Sequence, residues 1–307
     1  MSGGAGTSGG AGTSGGAGTS GGAGTSGGAG TSGGAGDACA PRDDAAADAG
    51  ARARGGTTGT RGTTAPDDRT AVLNYWRGGL RQVPDEVWRH PRLEVLLLPD
   101  NALTHLPARI GTLTALHTLD LGHNRLRAVP DELGHLPALS RFLYLHDNEL
   151  TELPASLGRL TRLGYLNVGE NRLTALPDTL GALSGLVELR AQHNRLTRLP
   201  ETIGALAALR ELWLRGNRIG ELPAGVGELT ALREIELREN AFTAVPAALR
   251  GLPSLRRVDL RGNRVRELPG WLAELPALEK LDLRWNDTHV SEDLLRTLEE
   301  RGCVVLR

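Results

Sequence analysis

The chain has 307 residues, with 35 lysines and arginines against 36 aspartates and glutamates, and its formal net charge is -1. This balance gives no global attraction to nucleic acid or to an acidic membrane surface, so neither is expected as a partner. The chain's two cysteines, Cys39 and Cys303, exclude a disulfide framework and favour a reducing compartment.

The first 70 residues are of low complexity. Residues 2–31 are five copies of Ser-Gly-Gly-Ala-Gly-Thr, and the first branched apolar or aromatic residue after Met1 is Val72. Such a composition buries too little apolar surface to offset the entropy of ordering, so residues 1–70 are predicted to be a disordered tether. The beginning of the chain lacks the basic and apolar regions of a secretion signal, and we expect a cytoplasmic protein.

An internal repeat dominates the chain after Val72. Asparagine recurs every 23 residues, with one interval of 24 between Asn124 and Asn148, and Leu-Pro or Val-Pro follows five residues after each of the first eight asparagines. A fixed period of this length indicates a stack of identical structural units. The asparagine ladder consists of Asn101, Asn124, Asn148, Asn171, Asn194, Asn217, Asn240, Asn263 and Asn286.

One unit, residues 209–229, reads L-x-x-L-x-L-x-x-N-x-L-x-x-L-P-x-x-L-G-x-L. Residues 80–286 therefore resemble the leucine-rich repeat proteins. The 23-residue Leu-Pro-x-x-Leu-Gly form is similar to the intracellular Ras-suppressor and Scribble-type proteins, the plant Ras-group-related proteins and many bacterial repeat proteins. The resemblance implies an α/β fold, a leucine-rich repeat solenoid shaped as a curved horseshoe, with a concave parallel β-sheet and convex turns or 3-10 segments.

The residue pattern within one unit agrees with that fold. Leu212 and Leu214 are two residues apart, so in a strand they point to one face while Trp213 points to the other. Pro223 has no backbone donor and disfavours helix before it, which favours turns and short 3-10 pieces on the return path. We expect a repeat domain over residues 71–307, with an N-terminal cap at 71–92, repeats at 93–286 and a helix–strand cap at 287–307.

The asparagine ladder is interpreted as structural, because buried amides in a parallel coil are expected to bond the backbone of neighbouring turns. The residues before the first five ladder asparagines are Asp100, His123, Asp147, Glu170 and His193, which are metal-ligating types. They lack a compact ligand signature and are expected to be exposed, so no metal and no cofactor is predicted. No nucleophile–base arrangement emerges either, and the chain is interpreted as non-enzymatic.

Residues that alternate with the buried leucines should form columns on the outward face of the sheet. They predict an aromatic cluster of Phe142, Tyr144 and Tyr165. They also predict an arginine column of Arg215, Arg238, Arg261 and Arg284, bounded by Trp213 and Trp285.

Exposed aromatics and arginine dominate interface energetics, which makes these residues candidates for partner binding. For the arginine column, the alternative is that it and the acidic columns beside it pair across strands and keep the face soluble.

The single extra residue of the repeat falls directly before Phe142. It predicts either a bulge that re-aims Phe142 and Tyr144 or, as we favour, a tolerated loop insertion.

We therefore expect a monomeric, non-catalytic interaction module or scaffold that binds a protein partner on its concave face and acts in intracellular signalling. The Ras-suppressor resemblance implies a small GTPase or its regulator as a candidate partner. The alternative is a substrate-recognition subunit of an enzyme system, such as a ubiquitin-ligase-like effector whose catalysis is supplied in trans.

Overall fold

The computed structural model of the chain describes residues 71–307, and the predicted tether lies outside the described residues. Within residues 71–307, eleven parallel strands form one sheet in which every strand pairs with its neighbours in sequence order. The strands are β1 Val72–Asn74, β2 Val95–Leu97, β3 Thr118–Asp120, β4 Phe142–Tyr144, β5 Tyr165–Asn167, β6 Glu188–Arg190, β7 Glu211–Trp213, β8 Glu234–Glu236, β9 Arg257–Asp259, β10 Lys280–Asp282 and β11 Val304–Leu306.

The strands are short because each repeat supplies one buried residue between two outward-facing ones. In β7 the central Leu212 is fully buried, and it pairs in register with Leu189 of β6 and Ile235 of β8. The two leucines of the Leu-x-Leu pattern thus form two rows of apolar side chains under the whole sheet. These rows join the leucines of the return segments in one continuous core.

The return path of each repeat is a short 3-10 segment that begins directly after a proline. After Pro154, for example, the amide of Leu157 donates to the proline carbonyl at 3.1 Å. The predicted solenoid, with a concave sheet and convex 3-10 turns, is confirmed. The segments are Asp85–Arg89, Ala108–Thr112, Asp131–His135, Ala155–Arg159, Asp178–Ala182, Glu201–Ala205, Ala224–Glu228, Ala247–Leu249 and Gly270–Glu274.

The glycine of the Leu-Pro-x-x-Leu-Gly pattern lies where consecutive 3-10 segments touch. Gly158 is buried, and a Cβ built on it would overlap the backbone carbonyl oxygen of Thr179 in the next segment. Gly134 meets Ser156 in the same way one repeat earlier. Close stacking of the convex segments therefore requires a residue without a side chain at this position.

The sheet ends differently on its two sides. At its start, β1 is followed by the 3-10 segment Asp85–Arg89, and Trp88 packs against the core. At its end, helix α1 (Glu292–Glu300) follows Ser291, which makes no side-chain capping hydrogen bond, and the chain turns at Gly302 into β11. Leu295 and Leu298 of α1 are buried.

No helix in residues 71–307 is both long and apolar enough to cross a membrane.

The extra residue before β4 leaves the sheet register unchanged. Phe142 pairs with Thr118 on one side and with Tyr165 on the other, as the repeat alignment requires. Arg141 also keeps its backbone bond to the carbonyl of His117, at 3.0 Å. The additional length is therefore accommodated before the strand, which is the behaviour of a tolerated insertion.

Candidate functional site

The outward face of β4 and β5 carries the aromatic cluster. Phe142 and Tyr144 stack with ring centroids 5.9 Å apart, and Tyr165 approaches them edge-on or tilted at 5.7 and 5.0 Å. All three side chains are half-buried, so they keep an exposed apolar surface while being held in place by one another. The spacing of adjacent parallel strands brings them together from two repeats.

Cationic and aromatic side chains continue this surface along the sheet. The guanidinium of Arg190 lies 5.7 Å from the ring of Tyr165 and 5.4 Å from that of Trp213, while its Nε donates to Glu188 at 2.6 Å. On the other side, His146 lies 5.9 Å from Tyr144. Trp213, expected to bound the arginine column, thus extends the aromatic cluster through Arg190.

Three glutamates, Glu188, Glu211 and Glu234, occupy equivalent outward positions on β6, β7 and β8. Burial raises the pKa of Glu188 and of Glu234, and the charge of Glu211 between them adds to this effect. Glu188 pairs with Arg190, and Glu234 pairs with Arg257 at 3.4 Å. The face beside the aromatic cluster therefore carries an acidic strip that a positive group from outside would stabilise.

The arginine column is paired within the protein. Each of its four members has an acidic partner close by, but for Arg238, Arg261 and Arg284 the nearest partner lies in the same repeat rather than across the strands. Arg215 and Arg238 both contact Glu239, at 3.2 and 3.0 Å, while Arg261 bonds Asp259 and Arg284 bonds Asp282. Trp285 is 65% exposed and lies 5.2 to 5.9 Å from the guanidinium groups of Arg238, Arg261 and Arg284.

Three polar atoms on this face are buried without a hydrogen-bond partner among the described residues. They are Oε1 of Gln192, Nε1 of Trp213 and Nε of Arg238, on three successive repeats between the aromatic cluster and the end of the arginine column. Buried polar atoms are normally satisfied, and leaving one unpaired costs about 1–3 kcal/mol. This stretch of the face is therefore not optimised for stability alone.

The side chains of the asparagine ladder form hydrogen bonds with backbone groups. Every ladder amide donates to a carbonyl of the preceding repeat, and every ladder side-chain oxygen accepts from a backbone amide of that repeat. At Asn171 the two distances are both 2.9 Å, to Leu145 and from Leu150. With these bonds made, the asparagines serve the packing of repeats.

The residue before each ladder asparagine has a positive φ. His123 (52°), Asp147 (47°), Glu170 (54°) and His193 (52°) adopt this left-handed conformation, which glycine supplies at Gly216 and Gly262. The turn directs these side chains to the edge of the sheet. Among residues 71–307, no group of three histidines, cysteines, aspartates or glutamates is arranged to hold a metal ion.

The columns located the main aromatic residues but missed two side chains that complete the surface. Arg190 and His146 belong to the same outward columns as Trp213 and Arg215. Arg190 is noticed only through its contacts with the neighbouring strands, and His146 through its contact with Tyr144 in its own repeat. A comparison of diagonal neighbours across strands, together with residues two apart along one strand, would have identified both.

Two family models match the chain. The model described as "Leucine-rich repeat region" matches residues 131–218, and the one described as "Leucine rich repeat" matches residues 91–150 and 207–265. Together, the matched ranges run without a gap from residue 91 to residue 265. No curated protein matches the chain in sequence.

Several solved plant structures are similar. One is the leucine-rich repeat ectodomain of the membrane receptor kinase GASSHO1/SCHENGEN3 from Arabidopsis thaliana in complex with CASPARIAN STRIP INTEGRITY FACTOR 2, with 30% identity, a TM-score of 0.62 and coverage of 71% of this chain and 27% of that one. The plant peptide hormone receptor RGFR1 in complex with RGF2 matches at 25% identity and a TM-score of 0.64, covering 73% and 41% of the two chains.

A third similar structure is the complex PEPR1-AtPEP1, with 27% identity and a TM-score of 0.56, covering 73% of this chain and 36% of that one. The chain thus spans between 27% and 41% of the length of these three structures.

Proposed function

The chain is a leucine-rich repeat protein, and we propose that it is a non-catalytic binding module that holds a protein or peptide partner on the concave face of its sheet. The observation that carries this proposal is the aromatic cluster. Phe142, Tyr144 and Tyr165 contact one another and form a half-exposed surface on the outward face of two adjacent strands. Clusters of exposed aromatics are costly to solvate, and they supply much of the binding energy at protein interfaces.

The charges around the cluster indicate the chemistry of the partner. The acidic strip of Glu188, Glu211 and Glu234 lies beside the cluster, and burial already disfavours ionisation of its outer two members. A partner that places a lysine or arginine over Glu211 would relieve the repulsion within the strip. We therefore propose a partner segment with an apolar or aromatic residue for the cluster and a basic residue further along.

The similar structures support a polypeptide ligand. Two of the three are plant receptors whose complexes contain the named ligands CASPARIAN STRIP INTEGRITY FACTOR 2 and RGF2, and RGFR1 is described as a peptide hormone receptor. Over the 71–73% of this chain that aligns with them, the sequence identity is 25–30% and the TM-scores are above 0.6. A repeat solenoid of this kind presents a continuous concave surface, which suits an extended ligand.

The proposal extends to a monomeric, cytoplasmic signalling scaffold. In the described part of the chain, Cys303 is the only cysteine, and it is buried with a free thiol, which supports a reducing compartment. The Leu-Pro-x-x-Leu-Gly form of the repeat, similar to that of the Ras-suppressor group, supports a small GTPase or its regulator as the candidate partner.

The test is affinity capture with the full chain as bait, beside a variant carrying Tyr144→Ala and Tyr165→Ala. Two matched controls are Arg109→Ala and Arg159→Ala, each on a convex 3-10 segment. We expect a partner that the wild-type and both control baits retain and that the double variant loses, with the purified partner bound at least about 30-fold more weakly, since hot-spot aromatics contribute about 2 kcal/mol or more.

Circular dichroism of each bait checks that the fold is kept. If the double variant retained every partner while Arg109→Ala lost them, the binding surface would be convex and the proposal would be wrong. Replacing Glu211 with arginine tests the partner's charge separately: binding should weaken, and it should weaken less at high ionic strength.

A further inference from the structure

Two histidines from successive repeats face each other at the edge of the aromatic cluster. Nε2 of His123, in the turn after β3, lies 3.3 Å from Nε2 of His146, in the turn after β4. The two imidazole rings are nearly perpendicular, with centroids 4.7 Å apart and an interplanar angle of 82°. The two residues are 23 positions apart, one fewer than the 24-residue interval between Asn124 and Asn148, so His146 meets His123 diagonally rather than from the equivalent position of the next repeat.

This separation suits a shared metal ion. Imidazole nitrogens bind zinc at about 2.0–2.1 Å, and two such ligands at a tetrahedral angle are about 3.3–3.4 Å apart. We propose that His123 and His146 form a two-imidazole site for a divalent transition-metal ion of the zinc type. Because no third protein ligand of the described residues joins them, the remaining positions are filled by water or by a donor group of a bound partner.

A carboxylate orients the first ligand. Nδ1 of His123 lies 2.6 Å from Oδ2 of Asp147, so the proton of the neutral ring is placed on Nδ1 and the lone pair on Nε2. This carboxylate–histidine arrangement is the usual outer-shell support of a metal-bound imidazole. The side chains of His123 and Asp147 are 46% and 53% exposed, so an ion can reach the pair from solvent.

A glycine positions the second ligand. The ring of His146 lies against Gly122, and a Cβ built on that glycine would overlap the imidazole. The space left by Gly122 therefore lets His146 lean across to the preceding repeat, where His123 is located. The sequence predicted no metal, because alignment by columns placed His123 beside Asp147 but did not place His146 opposite it.

The competing explanation is a simple hydrogen bond, in which one Nε2 donates to the other. The two explanations differ in their response to metal.

We would titrate the full chain with Zn²⁺ by calorimetry and measure its thermal midpoint with and without Zn²⁺. All proteins carry Cys39→Ser, so that this thiol does not contribute to binding. The variants are His123→Ala and His146→Ala, and the matched control is His193→Ala, which changes the same turn position where no second histidine is opposite.

We expect one Zn²⁺ per chain, at least tenfold weaker binding in either His123→Ala or His146→Ala, and unchanged binding in His193→Ala. Zn²⁺ should raise the thermal midpoint of the parent and not of the two ligand variants. Asp147→Asn should weaken binding by about 10–100-fold, as loss of an outer-shell partner does, without altering the midpoint measured in the absence of metal.

Ring-proton NMR of the parent gives a readout that needs no variant. Two of the eight histidines, assigned to His123 and His146, should shift together on addition of Zn²⁺. Binding that persists in both ligand variants, or ring shifts at other histidines alone, would overturn the proposal and leave the pair as a hydrogen bond.

Discussion

The side-chain amide of Asn171 donates to the backbone carbonyl of Leu145, 2.9 Å away and 26 residues earlier in the chain. The same amide also donates to the carbonyls of Val168 and Gly169, while its oxygen accepts from the amide of Leu150. One buried side chain thereby satisfies four backbone groups in two repeats. This arrangement recurs along the sheet, and it explains why a short strand and an irregular turn can stack without unpaired backbone.

Asn171→Ala should therefore destabilise the fold strongly. The variant leaves the buried Leu150 amide without a partner, while the Leu145 carbonyl keeps the amide of Asn148 at 3.2 Å. An unpaired buried group costs about 1–3 kcal/mol, and we expect the free energy of unfolding to fall by that amount. Urea unfolding followed by circular dichroism measures it. The control is Arg172→Ala at the exposed neighbouring position, which should change stability by less than about 0.5 kcal/mol. Equal losses in the two variants would refute the structural role of the ladder.

A second prediction concerns the convex packing of the Leu-Gly positions. Gly158→Ala places a methyl group into the carbonyl oxygen of Thr179, so consecutive 3-10 segments must move apart, at a cost of about 1–3 kcal/mol. Gly227→Ala is the matched change three repeats later, where the new methyl would lie 3.4 Å from the carbonyl oxygen of Ala248. It should be nearly neutral. A thermal melt of both variants distinguishes tight stacking from a general intolerance of alanine, which would lower both midpoints equally.

The sequence predicted the fold well because its signals are local and repeated. Leu212 and Leu214 specify a strand face, Pro223 specifies the return path, and the 23-residue period sets the register of every neighbour. The outward surface was harder to predict, because its contacts run between repeats and depend on which rotamers are adopted. Trp213 is an example: the alignment places it beside Arg190 in one column, but it does not show that the indole ring and the guanidinium would stack.

Asp120 gives a prediction for pH. Burial raises the pKa of its carboxyl to about 6, although the Gly122 amide donates to it at 2.9 Å. Because the folded pKa lies above the unfolded value near 4, ionisation of Asp120 disfavours the fold, and its unfavourable effect appears as pH rises from about 4 through 6. At the equivalent position of β5 the chain has Asn167, which is buried and accepts from Gly169 in the same way at 3.0 Å.

Asp120→Asn should therefore stabilise the protein at pH 8, by at most about 3 kcal/mol for a shift of about two pH units, and have little effect at pH 4. Thermal melts of both proteins between pH 4 and pH 8 would show the midpoints diverging as pH rises. A constant difference at every pH would mean that the carboxyl is not protonated in the folded protein near pH 4, and the proposed effect of burial would be wrong.

The last prediction separates structural from binding roles in the arginine column. Arg261 donates from Nε to both oxygens of Asp259, at 3.0 and 2.9 Å, and lies 3.6 Å from Oδ2 of the buried Asp282. The bond to Asp259 raises the pKa of Arg261, so the cation is held firmly. Arg261→Ala leaves two carboxylates on adjacent strands without this shared cation, and we expect a loss of about 2 kcal/mol in unfolding free energy.

Two comparisons test the physical origin of that loss. Arg256→Ala removes an exposed arginine whose pair with Glu279 is 3.2 Å long, and such surface pairs contribute about 0–1 kcal/mol. Adding Asp259→Asn to Arg261→Ala should recover part of the stability, because Asp282 then faces a neutral amide rather than a second charge. If the double variant were no more stable than Arg261→Ala, repulsion between the carboxylates would not be the cause. Full recovery with unchanged partner capture would assign Arg261 to the stability of the sheet and leave binding to the aromatic cluster.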